Sequence, residues 1–339
     1  MTNNACFSAT SAGLLTPLMP WISDPHVSEI LLNRPKEIYV EKSGKIARFD
    51  VPEYNEKMLT HLFQLITNEN NQTLTEKQPL LSGSLLDGSR IQLVKSPVAK
   101  HDAFAIRRQV AQHFTLSHYQ KNGFYQKTTT TILDNAEISN LSDSEKQLIV
   151  YYQTKNWDQF IQAAIHFKKN IVISGGTSSG KTTFLNACLR EINLNERIIV
   201  LEDTREIHIP HLNQVNLLAV KGEQSLAKVS MQDLLQCSLR LRPDRIIMGE
   251  IRGKEILDFV GACSIGHEGS LTTIHANSPA IAFMRMTQLY KQNNVPSMTD
   301  ADILRELKSA IDIIIQLKKA NGERLVSEVY YRYGHVTFS

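Results

Sequence analysis

Gly175, Gly176, Thr177, Ser178, Ser179, Gly180, Lys181, Thr182 and Thr183 stand in unbroken order and spell G-x-x-x-x-G-K-[ST]. Residue types and spacing together suit one task. Successive backbone N–H groups turn inward around phosphate oxygens, and the glycines let the backbone come close. Lys181 would reach the β- and γ-phosphates, and the Thr182 hydroxyl would hold Mg2+. The run Ile171 to Ser174 ahead of the loop reads as a strand, and a helix beginning near Thr182 points its positive end at the same oxygens. A chance Gly-rich turn can produce the bare pattern, but it does not bring the strand and helix with it. The stretch predicts a bound nucleoside triphosphate.

Three further stretches offer partners for such a site, each following a strand-like run. Glu202 and Asp203 come directly after Ile198 to Leu201, so one carboxylate can face the phosphates and orient or deprotonate an attacking water. A carboxylate there can also be a solvent-exposed loop or N-cap charge. Ile246 to Met248 leads through Gly249 into Glu250, which has the form of a Mg2+-holding carboxylate with Glu in place of the commoner Asp. The plainer alternative is a charge at a helix N-terminus. Leu271 to Ile274 delivers His275, whose neutral imidazole can donate to a γ-phosphate oxygen. A single histidine at a strand end is as readily structural, and His267 reads as a turn residue.

The elements that must carry these residues alternate. After the loop come the strand Arg197 to Leu201, the helix Ser230 to Leu241 with Ser230 as N-cap, and the strand Arg245 to Met248. The helix Lys254 to Ser264, the strand Leu271 to Ile274 and the helix Pro279 to Lys291 follow. Such alternation predicts an α/β fold with a largely parallel sheet. Asp312 to Lys318 and Glu323 to Tyr333, joined by a turn at Asn321-Gly322, predict a closing β-hairpin. Upstream, strands at Val27 to Leu32, Glu37 to Glu41 and Lys45 to Phe49 precede a helix over Glu56 to Asn68. Its Leu59, Leu62, Phe63 and Ile66 fall at helical spacing. More strands over Pro79 to Arg108 complete a smaller α+β domain.

With 339 residues, two domains of roughly 150 each are expected. The expected boundaries are an α+β N-terminal domain over 1–110, a linker over 111–150 and the phosphate-loop domain over 151–339. Lys127 to Thr131 and Ser139 to Ser144 are polar runs that read as loop within the linker. The chain is 42% hydrophobic and 21% charged, an ordinary globular composition, and 37 basic against 34 acidic residues leave a net charge of +3. That balance carries no electrostatic footprint for nucleic acid, so no specific nucleic-acid partner is expected. Cys6, Cys188, Cys237 and Cys263 form no C-x-x-C pair, which argues against a zinc module and a disulfide framework. The first twenty residues lack an early basic residue and a long apolar run, so no secretory signal is expected, and residues 1 to about 13 read as a tail. No run approaches the ~20 apolar residues of a membrane span.

Taken in order, the loop Gly175 to Thr182, Glu202-Asp-Thr204, Leu241-Arg-Pro-Asp-Arg-Ile-Ile-Met-Gly-Glu250 and Thr272-Thr-Ile-His-Ala-Asn277 resemble the four boxes of the secretion ATPases of type II and type IV systems. The wording is nearest to the type IV traffic ATPases. The resemblance extends upstream through Asp24-Pro-His-Val-Ser-Glu-Ile30, Gly88-Ser-Arg-Ile-Gln-Leu-Val94 and Phe104-Ala-Ile-Arg107. It implies a RecA-like C-terminal domain and a smaller N-terminal domain, with ATP and Mg2+ as cofactors. From residue chemistry alone, Arg90, Arg107 and Arg108 read as a solvated sheet face. The resemblance instead makes Arg90 and Arg107 phosphate contacts, with Arg108 the less certain member. It further implies catalytic roles for Lys181, Glu202, Glu250 and His275, with Glu202 as the water-positioning base and Mg2+ held by Thr182 and Glu250, although Glu202 and Glu250 can exchange roles. A homohexamer is implied, cytoplasmic and peripheral to the inner membrane, working with the inner-membrane components of a type IV secretion channel. A pilus extension or retraction motor, and a ring adaptor that binds nucleotide but hydrolyses poorly, are the competing expectations.

Overall fold

A computed structural model of the chain describes residues 13–70, 72–108, 114–133, 140–219, 229–320 and 323–336. The expected turn at Asn321-Gly322, Cys6 and nearly all of the N-terminal tail lie outside them. The described residues group into two compact units. One holds residues up to 108 with Thr204–Glu206 and Val229; the other holds most of the remaining chain.

The first unit is built on an antiparallel sheet of β1 (Val27–Arg34), β2 (Glu37–Lys42), β3 (Lys45–Asp50), β4 (Leu80–Ser84), β5 (Arg90–Val94) and β6 (Ala103–Arg107). Their order is β3-β2-β1-β6-β5-β4. A register shift between Val27 and Glu29 inserts one residue into β1, so Val27 and Ile30 both face inward despite their odd spacing. After a short helix α1 (Met19–Ile22), the helix α2 (Glu56–Glu69) is started by Asn55, whose side chain accepts from Met58 N at 3.0 Å. It buries Leu59, Leu62, Phe63 and Ile66, the four residues marked by periodicity, against Ile91, Leu93, Phe104 and Ile106 of the same core. Burial of each such side chain contributes about 1.5–3 kcal/mol.

The second unit carries a sheet of eight strands, β7 (Thr129–Thr131), β8 (Ile171–Gly175), β9 (Ile198–Glu202), β10 (Gln214–Leu218), β11 (Arg245–Met248), β12 (Leu271–Ile274), β13 (Ile313–Ala320) and β14 (Glu323–Tyr331). Their order is β10-β9-β11-β12-β8-β13-β14-β7, and the run from β10 to β13 is parallel throughout. Every residue of β8, β9, β11 and β12 is buried, which is why these strands are mostly apolar and show no polar alternation. The helices of this unit are α3 (Leu116–Lys121), α4 (Asp143–Gln153), α5 (Trp157–His166), α6 (Lys181–Leu189), α7 (Met231–Ser238), α8 (Glu255–Ser264), α9 (Pro279–Tyr290) and α10 (Asp300–Ala310).

Over its described residues, the stretch read as a linker at 111–150 is integral to this unit. Leu116 and Tyr119 of α3 and Leu148 and Ile149 of α4 join its core, and β7 pairs with β14. The polar runs that suggested loop have structural work. Ser142 and Glu145 form a reciprocal capping box that starts α4, and Thr129–Thr131 is a short edge strand. Ser230 caps α7 as expected, but the helix ends at Ser238, earlier than the pattern suggested.

Candidate active site

Parallel register assembles the site. Ile274 pairs with Ser174, Met248 pairs with both Leu201 and Thr272, and so β8, β9, β11 and β12 all end at one edge. Gly175, Glu202, Glu250 and His275, scattered over a hundred positions in sequence, therefore leave the sheet beside one another. Hydrogen bonds carry the order past the strand ends: Gly249 N donates to Leu201 O at 2.8 Å, Ile251 N to Thr273 O at 3.0 Å, and Thr273 Oγ1 to Gly249 O at 2.8 Å. β12 lies between the phosphate-loop strand and β11, so His275 stands between the loop and Glu250.

The phosphate loop is shaped by what surrounds it. A Cβ on Gly175 would lie 2.5 Å from Ser179 Oγ and 2.9 Å from Leu317 O on β13, so only glycine fits between loop and sheet. Gly180, with φ +92, supplies the left-handed turn into α6. Lys181 is buried, and its Nζ donates to Gly175 O at 2.9 Å and Gly176 O at 3.2 Å. Ser179 Oγ donates to Gly176 O at 2.9 Å. Thr177 and Ser178 are exposed at the tip, while Thr182 and Thr183 occupy the half-buried first turn of α6.

From Lys181 a polar chain runs through the other boxes. Its Nζ lies 3.3 Å from His275 Nδ1, and His275 Nε2 lies 3.1 Å from Glu250 Oε1. The other carboxylate oxygen of Glu250 accepts from Arg252 Nη2 at 2.6 Å, and Arg252 Nη1 donates to Asp203 Oδ2. Partial burial lowers the His275 pKa below its ordinary value. The Glu250 charge opposes that shift, and Lys181 and Arg252 reinforce it, so the imidazole is held neutral. Glu250 Oε1 is buried and, apart from the His275 ring beside it, meets no hydrogen-bond donor among the described residues. A buried carboxylate oxygen so placed beside a phosphate loop fits a hard divalent cation.

Glu202 and Asp203 divide differently than their adjacency suggested. Glu202 is buried at the end of β9, and its Oε1 accepts from Ile207 N at 2.7 Å, which ties down the following loop. Asp203, half-buried, meets Arg252 instead. Arg252 had no role in the sequence reading. Its signal was present in Glu250-Ile-Arg252, a spacing that lets a side chain return to the carboxylate two residues earlier.

Within the first unit, Arg90 and Arg107 face each other as register partners on β5 and β6. Arg90 pairs with Glu206 at 2.8 Å, and Arg107 is exposed. Arg108 is occupied otherwise: Nη1 donates to the carbonyls of Trp21 and Val27, each at 3.3 Å, and of Asp24. His267 is a turn residue, its N donating to Ala262 O at 3.2 Å and its O accepting from Ser270 Oγ at 2.9 Å.

Comparison with known proteins agrees with this architecture. VirB11, a type IV secretion system protein of Bartonella quintana, is 34% identical over 325 residues, covering 94% of this chain and 91% of that protein. The crystal structure of the VirB11 ATPase from the Brucella suis type IV secretion system, in complex with sulphate, matches with a TM-score of 0.54 and 29% identity. The match covers 96% of this chain and 98% of that one. The pilus retraction motor PilT with bound ADP, 19% identical, shares the fold with a TM-score of 0.58 over 94% of this chain and 82% of its own. Residues 14–328 match the model of the type II/IV secretion system protein family, and to that family the chain belongs.

Proposed function

We propose that this chain is an ATP hydrolase that powers assembly of, or export through, a type IV secretion channel. The observation that carries the reading is the polar chain Lys181–His275–Glu250–Arg252–Asp203 beside a preformed phosphate loop. In the reaction, a water oxygen attacks the γ-phosphorus in line, the bond to the ADP oxygen breaks, and the proton of the water passes to a carboxylate. Lys181 and the loop N–H groups stabilise the charge that develops on the phosphoryl oxygens. His275, held neutral, donates to a γ-phosphate oxygen and relays the occupancy of the loop to Glu250.

Thr182 and Glu250 would hold Mg2+, which neutralises phosphate charge when bound. Glu250 is the carboxylate that would hold the metal and could also take the proton of the attacking water. Glu202, buried and bonded to Ile207 N, acts by positioning the loop that carries Asp203. Arg90 and Arg107 are assigned to the phosphates of the same chain. The working form is a homohexamer, peripheral to the cytoplasmic face of the inner membrane and in contact with channel components. In place of a linker over 111–150, the grouping of residues 114–133 and 140–150 with the phosphate-loop unit supports an ATPase domain that includes them. No described helix is long and apolar enough to cross a membrane.

Glu250→Gln and Glu202→Gln, assayed for ATP binding and for phosphate release, test the assignment. Glu250→Gln should bind ATP and lose turnover by about a hundredfold or more. Turnover at the wild-type rate in both variants would refute it.

A further inference from the structure

Three loop carbonyls receive side-chain donors, and only two of those donors belong to the sequence motif. Lys181 Nζ serves Gly175 O and Gly176 O, and Ser179 Oγ also serves Gly176 O. The third carbonyl, Ser178 O, accepts from Arg324 Nε at 3.2 Å, 146 residues away in sequence. Arg324 arrives there because β13 runs on past the phosphate-loop strand. Leu317 pairs with Gly175, the last residue of β8, yet β13 continues to Ala320, and Arg324 returns opposite Lys319. Its stem then lies over the loop: a Cβ built on Gly180 would sit 3.2 Å from Arg324 Cδ.

We propose that Arg324 is a positioning residue that holds the outer limb of the phosphate loop in its nucleotide-binding shape. The limb needs holding. Ser178 has φ +58 and Gly180 φ +92, and a left-handed non-glycine residue is uncommon without tertiary support. A loop cradles an anion only while its carbonyls point away and its N–H groups converge. Lys181 and Ser179 turn away the carbonyls of the inner limb, and Arg324 turns away that of Ser178. Arg324 is exposed and takes no part in the core, so its removal leaves folding intact.

The inference rests on the nucleotide-binding reading above, and its test separates the two. ATP and ADP affinities, steady-state kcat and KM, and the ligand-free Tm would be measured for the wild type, Arg324→Ala, Arg324→Gln and Arg324→Lys. Arg324→Ala should weaken ATP and ADP alike by about tenfold and raise KM, with kcat within about twofold and Tm unchanged. Arg324→Gln keeps an N–H donor without charge and should recover most of the affinity. Arg324→Lys keeps charge without the Nε–H and should not. Unchanged affinity in Arg324→Ala, or recovery by lysine and not by glutamine, overturns the clamp alone. Failure of the wild-type chain to bind either nucleotide overturns both readings.

Discussion

Adding one methyl group at Gly175 tests how tightly the phosphate loop is wedged against its sheet. In Gly175→Ala the new Cβ meets three atoms, Ser179 Oγ at 2.5 Å, Leu317 O at 2.9 Å and Leu317 Cβ at 3.2 Å. The serine can respond by rotating, but it then gives up its 2.9 Å bond to Gly176 O, a loss of about 1 kcal/mol. Leu317 O cannot respond so cheaply, because it is backbone of a strand paired with β8 on one side and β14 on the other. Overpacking against fixed backbone costs about 1–3 kcal/mol. The sum for Gly175→Ala is therefore about 2–4 kcal/mol, felt as lower stability, as a displaced loop with weaker nucleotide binding, or as both. Ser179→Ala alone should cost about 1 kcal/mol. In the double variant the serine clash is gone and its hydrogen bond is counted once. The two costs should then fall short of additivity by about 1 kcal/mol. Thermal or denaturant unfolding with ATP titration on all four proteins measures this. Full additivity, or a Gly175→Ala protein with wild-type stability and affinity, would refute the wedge.

Two other predictions concern the scaffold beneath the site. Arg245, in the Arg242-Pro-Asp-Arg245 run, is buried and grips Glu196 through Nε at 2.8 Å and Nη2 at 3.0 Å. Burial raises the Glu196 pKa, but hydrogen bonding and charge from Arg245, then Lys168, carry it below the ordinary 4.5. The stabilisation is thus complete above about pH 4.5 and lost as pH falls through the lowered value. Glu196→Gln should flatten the acid limb of a Tm-versus-pH curve, and an unchanged limb would count against the pair. Ser142→Ala should remove one arm of the capping box on α4 and cost about 1 kcal/mol, lowering Tm by about 2–4 °C. A Tm equal to wild type would show that the cap adds nothing to the stability of this helix.

Legibility followed the physics of each element. The buried parallel strands β8, β9, β11 and β12 were readable because every position but Glu202 and Arg245, at the ends of β9 and β11, is apolar or small. Helix α2 was readable because one face is buried at regular spacing. The elements that escaped are those with few buried residues. Helix α10 buries only Ile303, Leu307 and Ala310, and the edge strand β10 has no fully buried residue. Helix α4 was hidden by its own start signal, since Ser142 and Glu145 sit in a polar cluster that also describes a loop.

By itself the sequence determined the phosphate loop, the order of the four boxes and the alternation that makes a parallel sheet. These depend on local patterns: spacing of glycines, runs of apolar residues, turn and cap chemistry. Which side chains meet was decided only by the tertiary structure. Register brings His275 between Lys181 and Glu250, and Arg252 across to Asp203. Burial separates Glu202 from its neighbour Asp203, and an overlong hairpin brings Arg324 to Ser178. Contacts of this kind join residues far apart in the chain, and they exist only once strand pairing has fixed where each strand ends.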